Sequence, residues 1–246
     1  DIRRIQIRET IMSHLEKERE LYKKGIKVLS LFFIDEVAKY KFYDESGERK
    51  GAYAHIFEEE YKNAVDVFFS QLPFEEDVDY RTFLERDNVQ RIHPGYFSVD
   101  KKGRAVDSDV KRGESESADV DAYDLIMKDK ERLLSHEEPV RFIFSHSALR
   151  EGWDNPNVFQ ICALRLSSGD IKKRQEIGRG LRLSVNKDGE RMDAEILGTH
   201  GVHEVNVLTV VANESYDEFA KALQDEFYEV IKNRPKAITP DLFMGQ

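Results

Sequence analysis

The chain has 246 residues, 40% hydrophobic and 35% charged, with a formal net charge of −10 and a single cysteine, Cys162. That length supports a sizeable core, and the acidic balance argues against generic coating of nucleic acid while leaving room for a local basic groove. One cysteine excludes an intrachain disulfide and a thiolate zinc cluster, which suits a reducing cytoplasm, and no run approaches the roughly 20 apolar residues that span a bilayer.

Residues 2–23 have helical spacing, with Ile5, Ile11, Met12, Leu15 and Leu21 as the apolar stripe and Gly25 as a stop. Residues 26–35 form a near-continuous apolar run closed by Asp35, the pattern of a strand buried on both faces. A second helix is expected over 54–72, with Glu58, Glu59 and Glu60 as its solvated face. From Ser98 to Asp121 the composition turns polar without periodicity and reads as a hairpin or long insertion. Helix is expected again at 123–134 and strand at 139–144 and 158–164. The basic segment 170–182 is expected to be helical, capped by Ser167, Ser168 or Asp170. Strand follows at 206–212 and an amphipathic helix at 214–232. Apolar strands alternating with helices predict an α/β fold, an open and mainly parallel sheet with helices on both faces. Ligands of such sheets sit at the carboxyl ends of the strands, here the loops after Ile34, Phe144 and Leu164.

Two of those loops lead to chemistry. Residues 170–182 place five cations, two glycines and Gln175 within thirteen positions. Gly178 permits close backbone approach, and Arg179 and Arg182 are spaced to point one way. Paired guanidiniums suit a polyphosphate, because the planar fork matches phosphate oxygens; a solvated basic helix is the plainer alternative. The loop 145–157 offers the Ser147 hydroxyl, the bare backbone of Gly152, and Asp154 as an acceptor for a ribose hydroxyl or a magnesium-bound water. Asp-Asn-Pro is also a common turn, so Asp154 equally fits a turn residue, and Trp153 reads as packing. His146 reads as a loop hydrogen-bonder. The three Asp-x-Lys triplets (Asp100, Asp109 and Asp170) read as coincidence in so charged a chain. No residue set reads as a metal centre.

Taken together, Ser147-x-x-x-x-Gly152-x-Asp154 and Gln175-x-x-Gly178-Arg179-x-x-Arg182 resemble motifs V and VI of superfamily 2 helicases. The fuller strings 142–158 and 173–182 resemble the Res subunits of type III restriction–modification enzymes, and the likeness continues through 24–35, 93–97, 127–134 and 208–215. The resemblance implies that 1–246 is a C-terminal RecA-like lobe of the P-loop NTPase type, with the polar insertion at about 98–121. It implies an ATP-driven DNA motor coupled to endonuclease activity. In that scheme Arg182 is the arginine finger, Arg179 a second phosphate contact, and Gln175 positions nucleotide or water. Gly152, Asp154 and Gly178 are on the ATP side, and Ser147 and Arg150 face the DNA backbone. Implied cofactors are ATP and Mg2+; implied partners are double-stranded DNA and a methyltransferase (Mod) subunit. A phosphate-binding loop and an Asp-Glu magnesium motif, which such motors need, are both absent from these residues. They belong to a first RecA-like lobe expected to precede Asp1, with a nuclease domain expected to follow. The chain is thus expected to be a fragment, inactive alone. Other readings are a lobe of another superfamily 2 motor (a repair helicase or a type I restriction motor subunit) and a non-catalytic nucleic-acid-binding module.

Overall fold

In Leu29–Phe33 all five side chains are buried, as a strand flanked on both faces requires. The computed structural model describes residues 2–71, 77–100, 102–107, 126, 129–146, 155–165, 170–212 and 214–232. Its elements are α1 (Ile2–Tyr22), β1 (Leu29–Phe33), a hairpin β2 (Lys41–Asp44) and β3 (Gly47–Lys50), α2 (Ala52–Gln71) and α3 (Val78–Arg86). Next come β4 (Gly95–Tyr96), a small hairpin β5 (Ser98–Val99) and β6 (Ala105–Val106), α4 (Lys130–Leu134), β7 (Phe142–Ser145) and β8 (Val158–Ala163). The last are α5 (Asp170–Ile177), α6 (Ala194–Val205), β9 (Thr209–Val211) and α7 (Glu214–Lys232).

Five strands form one sheet in the order β4-β7-β1-β8-β9, every neighbouring pair parallel. β1 lies at its centre, with Ser30 opposite Phe142 of β7 and Gln160 of β8. Alternation along β1 divides the core. Phe32 joins Phe57, Phe142 and Phe144 beneath α1 and α2, stacked on Phe144 at 4.5 Å. Leu29, Leu31 and Phe33 point the other way, to Ile126, Leu133, Ile143 and Ile161. Covered on both faces, the sheet is the α/β arrangement expected, consistent with a RecA-like lobe. Among the described residues no helix is long and apolar enough to cross a membrane.

Several expectations need correction. The face that α1 buries carries Ile7, Ile11 and Leu15 beside a polar row, Gln6, Thr10, His14 and Glu18, whereas Ile5 is exposed. The row is tolerated because its groups are paired: His14 Nδ1 is 2.8 Å from Ser30 Oγ, and Glu18 meets Arg141 at 2.8 Å. The acidic run of α2 is not a solvated face. Glu60 is buried and pairs with Arg4 at 2.6 Å, Glu58 pairs with Lys50 at 2.5 Å and approaches His93 at 3.3 Å, and Glu59 alone of the three is exposed. The strand expected at 206–212 shortens to 209–211, because Asn206 instead ends α6. Of the 98–121 insertion, the β5–β6 hairpin is described and residues 108–121 lie outside the described residues. So do most of 123–128, Ser167, Ser168 and Trp153. Asp170 begins α5, and Asp100 caps its own turn by accepting from the backbone of Lys102 and Arg104.

The chain forms two compact units, Asp1–Val211 and Ala212–Gln246. In the second, α7 is a single helix on which Phe227 and Tyr228 are exposed.

Candidate functional site

Strands β1, β7 and β8 end level with one another, Phe33 standing opposite both Ser145 and Ala163. The residues just beyond, Asp35, His146 and Arg165, therefore gather at the carboxyl edge of the sheet. Asp35 accepts from Tyr53 Oη at 3.1 Å and meets Lys39 at 2.5 Å. Burial alone would raise its pKa, but the hydrogen bonds from Lys39 and Tyr53 outweigh it and hold the carboxyl below its ordinary value. The buried His146 has its Nε2 2.9 Å from the Asp35 carbonyl, so that nitrogen donates. It is the loop hydrogen-bonder expected. The same nitrogen lies 3.6 Å from Asp107, which also accepts from Val37 N at 2.7 Å. The β5–β6 hairpin is thereby pinned over this edge.

Arg165, the second residue past β8, spreads its fork between two elements. One nitrogen donates to the His146 carbonyl, and another pairs with Glu176 of α5. Its guanidinium lies 5.5 Å from the centre of the Phe33 ring. Arg165 and Glu176 are both buried. α5 turns Lys173, Glu176 and Ile177 inward, with Gly180 following, and leaves Arg174, Gln175 and Gly178 exposed.

The helix stops at Ile177, so the basic segment is helical only in its first part. Gly178 N still reaches Arg174 O at 2.8 Å, after which Arg179 and Gly180 close a tighter turn onto Glu176 and Ile177. Arg179 is half-buried and Arg182 exposed. Burial first, then the charge of Arg182, pushes the Arg179 pKa down, opposed by Glu176. The two guanidiniums thus share one electrostatic neighbourhood, which an anion would relieve. Of the two glycines in this segment the more closely packed is Gly180, not Gly178: a Cβ at Gly180 would meet Leu208 Cδ1 at 2.4 Å, while one at Gly178 would meet only Arg174 O and Gln175 O, at 3.0 and 3.9 Å. Downstream, Asn157 exchanges two hydrogen bonds of 2.8 Å with the backbone of Val185, and Asn206 accepts from Ser184 N at 2.8 Å. The cationic turn is therefore held on both sides.

Of the residues singled out in the sequence, Gln175, Gly178, Arg179 and Arg182 come together at the end of α5. Ser147, Arg150, Gly152 and Asp154 lie outside the described residues. The loop that carries them opens at His146 and closes at the buried Asn155 and Asn157, so both its ends are at or beside the sheet. Among the described residues no group of three or more His, Cys, Asp or Glu side chains could hold a metal ion. Arg165 and Glu176 were not anticipated. The signal for Glu176 was a carboxylate in the inward row 173, 176, 177, 180 of a segment otherwise marked by its cations.

No family model matches the chain. Curated relatives do. The EcoP15I Res subunit of Escherichia coli, a type III restriction-modification enzyme, is 40% identical over 185 residues, 74% of this chain and 17% of that protein. The EcoPI Res subunit of Escherichia phage P1 is equally similar, 40% over 185 residues with the same coverage. The StyLTI Res subunit of Salmonella typhimurium is 35% identical over 210 residues, 77% of this chain and 20% of that protein. The chain is homologous to a region of type III Res subunits. This Res-type segment spans no more than a fifth of the length of the curated relatives it matches.

Proposed function

We propose that this Res-type segment is the second motor lobe of an ATP-dependent DNA translocase within a type III restriction endonuclease. The observation that carries the reading is the turn of Arg179 and Arg182, anchored at the carboxyl edge of a parallel sheet in a chain homologous to Res subunits. Arg182, the exposed member, reaches the γ-phosphoryl oxygens across the cleft to a first RecA-like lobe and stabilises the charge that develops there. Arg179 holds a neighbouring phosphate oxygen, and Gln175 orients nucleotide or water. Gly152, Asp154 and Gly178 complete the nucleotide side, while Ser147 and Arg150 contact the backbone of double-stranded DNA. The donor set of Gln175, Arg179 and Arg182 combines an amide with two guanidiniums, groups that suit phosphate oxygens. The first lobe of the same protein supplies the phosphate loop and the Mg2+ ligands. A nuclease domain of the same protein and a methyltransferase (Mod) subunit complete the enzyme, in the cytoplasm.

The test is ATP turnover by the full-length enzyme with its DNA and methyltransferase subunit. Arg182→Ala is expected to lower turnover by about 10³-fold or more, the usual range for an arginine finger, with an unchanged circular dichroism spectrum. Near-normal turnover would remove Arg182 from the role.

A further inference from the structure

Downstream, the turn that carries Arg179 and Arg182 is held through Asn157 and Asn206; upstream it continues from α5. α5 is only eight residues long, and among its described buried residues, Lys173, Glu176 and Ile177, one is a large apolar side chain. Apolar contact is also non-directional and tolerates sliding. A guanidinium is not: its planar N–H groups have fixed directions, and those of Arg165 go one to the Glu176 carboxylate and another to the His146 carbonyl. The buried Glu176 is three residues before Arg179, and its partner Arg165 is fixed by β8, by the Phe33 ring and by the His146 carbonyl.

We propose that Arg165 and Glu176 are positioning residues, whose buried ion pair sets the Arg179–Arg182 turn against the end of β7 at His146. Neither touches the nucleotide. One arm of the Arg165 fork holds α5 and the other holds the His146 carbonyl at the end of β7, so two elements that are distant in sequence keep one relative placement. The proposal rests on the reading of Arg179 and Arg182 as phosphate-facing. A displacement of 1 Å away from the chemistry costs about 10²-fold in rate, so the pair acts on kcat. Substrate affinity, spread over two lobes, is affected less.

The experiment uses the full-length enzyme with DNA, comparing Glu176→Gln, Glu176→Asp and the exchange Arg165→Glu with Glu176→Arg, beside Arg182→Ala. Two quantities are read: kcat and KM for ATP, and hydrogen exchange of the amides at 177–183. Glu176→Gln keeps the shape and removes the charge; it is expected to lower kcat by about 10²-fold, to leave KM within about threefold, and to speed exchange at 177–183. Glu176→Asp retains the charge on a shorter stem and is expected to fall between the wild type and Glu176→Gln. The exchanged pair is expected to recover part of what Glu176→Gln loses. If Arg182→Ala is inactive while Glu176→Gln keeps normal kcat or normal exchange, the positioning role is overturned and the motor reading stands. If Arg182→Ala turns over normally, the motor reading fails and takes with it any role of the pair in ATP turnover. Should Glu176→Gln lose its fold, the aspartate variant decides: wild-type kcat and exchange there overturn the proposal.

Discussion

Among the described residues two arginine–glutamate pairs are buried, and they serve different ends. Glu18 and Arg141 meet at 2.8 Å in the core, both wholly enclosed, with Tyr80 donating to Glu18 at 3.0 Å and Arg141 donating to Tyr61. His14 stands 3.3 Å from the same glutamate. Every partner is itself interior, so the network joins α1, α2 and α3 to the residue that leads into β7 and reaches nothing outside. Arg165 and Glu176 have the same chemistry at the sheet's carboxyl edge, but the helix they hold leads into a turn with a half-buried and an exposed arginine. Burying charge is costly in both places. What differs is what hangs on the far side of the pair, and that separates a group that specifies the fold from one that serves a site.

The comparison breaks most forcefully at the core pair. Arg141→Met leaves Glu18 charged and unpaired, and is expected to cost about 3–5 kcal/mol. Native-state hydrogen exchange of the β7 amides would show the loss; a change below about 1 kcal/mol would mean the core pair matters no more than a surface one. Acid probes the same group. Burial alone would raise the Glu18 pKa, but the charge of Arg141 and contacts from His14 and Tyr80 hold it at about 2, against 4.5 ordinarily. Between those values the unfolded chain binds the extra proton. The contribution of Glu18 is therefore full above pH 4.5 and is lost as pH falls through about 2, a change of roughly 3 kcal/mol. Unfolding followed against pH should lose that slope in Glu18→Gln. The smallest effect belongs to the second region. Gly180→Ala sets a Cβ 2.4 Å from Leu208 Cδ1, at an end of a side chain that can partly yield, for about 1 kcal/mol of strain. Because the turn itself must shift, ATP turnover of the full-length variant should fall by more than that stability loss would explain.

Much of the frame was legible in the sequence because burial leaves periodic traces. The run at 26–35, the apolar positions of α2 and the β-branched segment before Ala212 announced a parallel sheet with helices around it. The short or solvated elements left fainter marks. β2 and β3 form an exposed hairpin closed at Gly47, with φ of 108°, and its mixed charges resemble loop. α6 is interrupted at Gly198, φ 73°, which hides its period. The cationic turn was legible because Gly178, Arg179 and Arg182 are unusual together. Glu176 was not, since a carboxylate among five cations looks like simple charge balance, and only the register of α5 shows that it faces inward. Arg165 stands one residue past the strand expected at 158–164, where no periodicity marks it as buried.

The central place of β1 bears on how the protein is made. Ser30 of β1 is joined to Gln160 of β8 across 130 residues of chain, and both parallel neighbours of β1 are distant in sequence. At a synthesis rate of about 5–20 residues per second, that strand waits on the order of ten seconds for its partners to leave the ribosome. During the wait, Leu29, Leu31, Phe32 and Phe33 have no sheet to enter. A strand that ends with all five side chains buried thus begins as an exposed apolar surface.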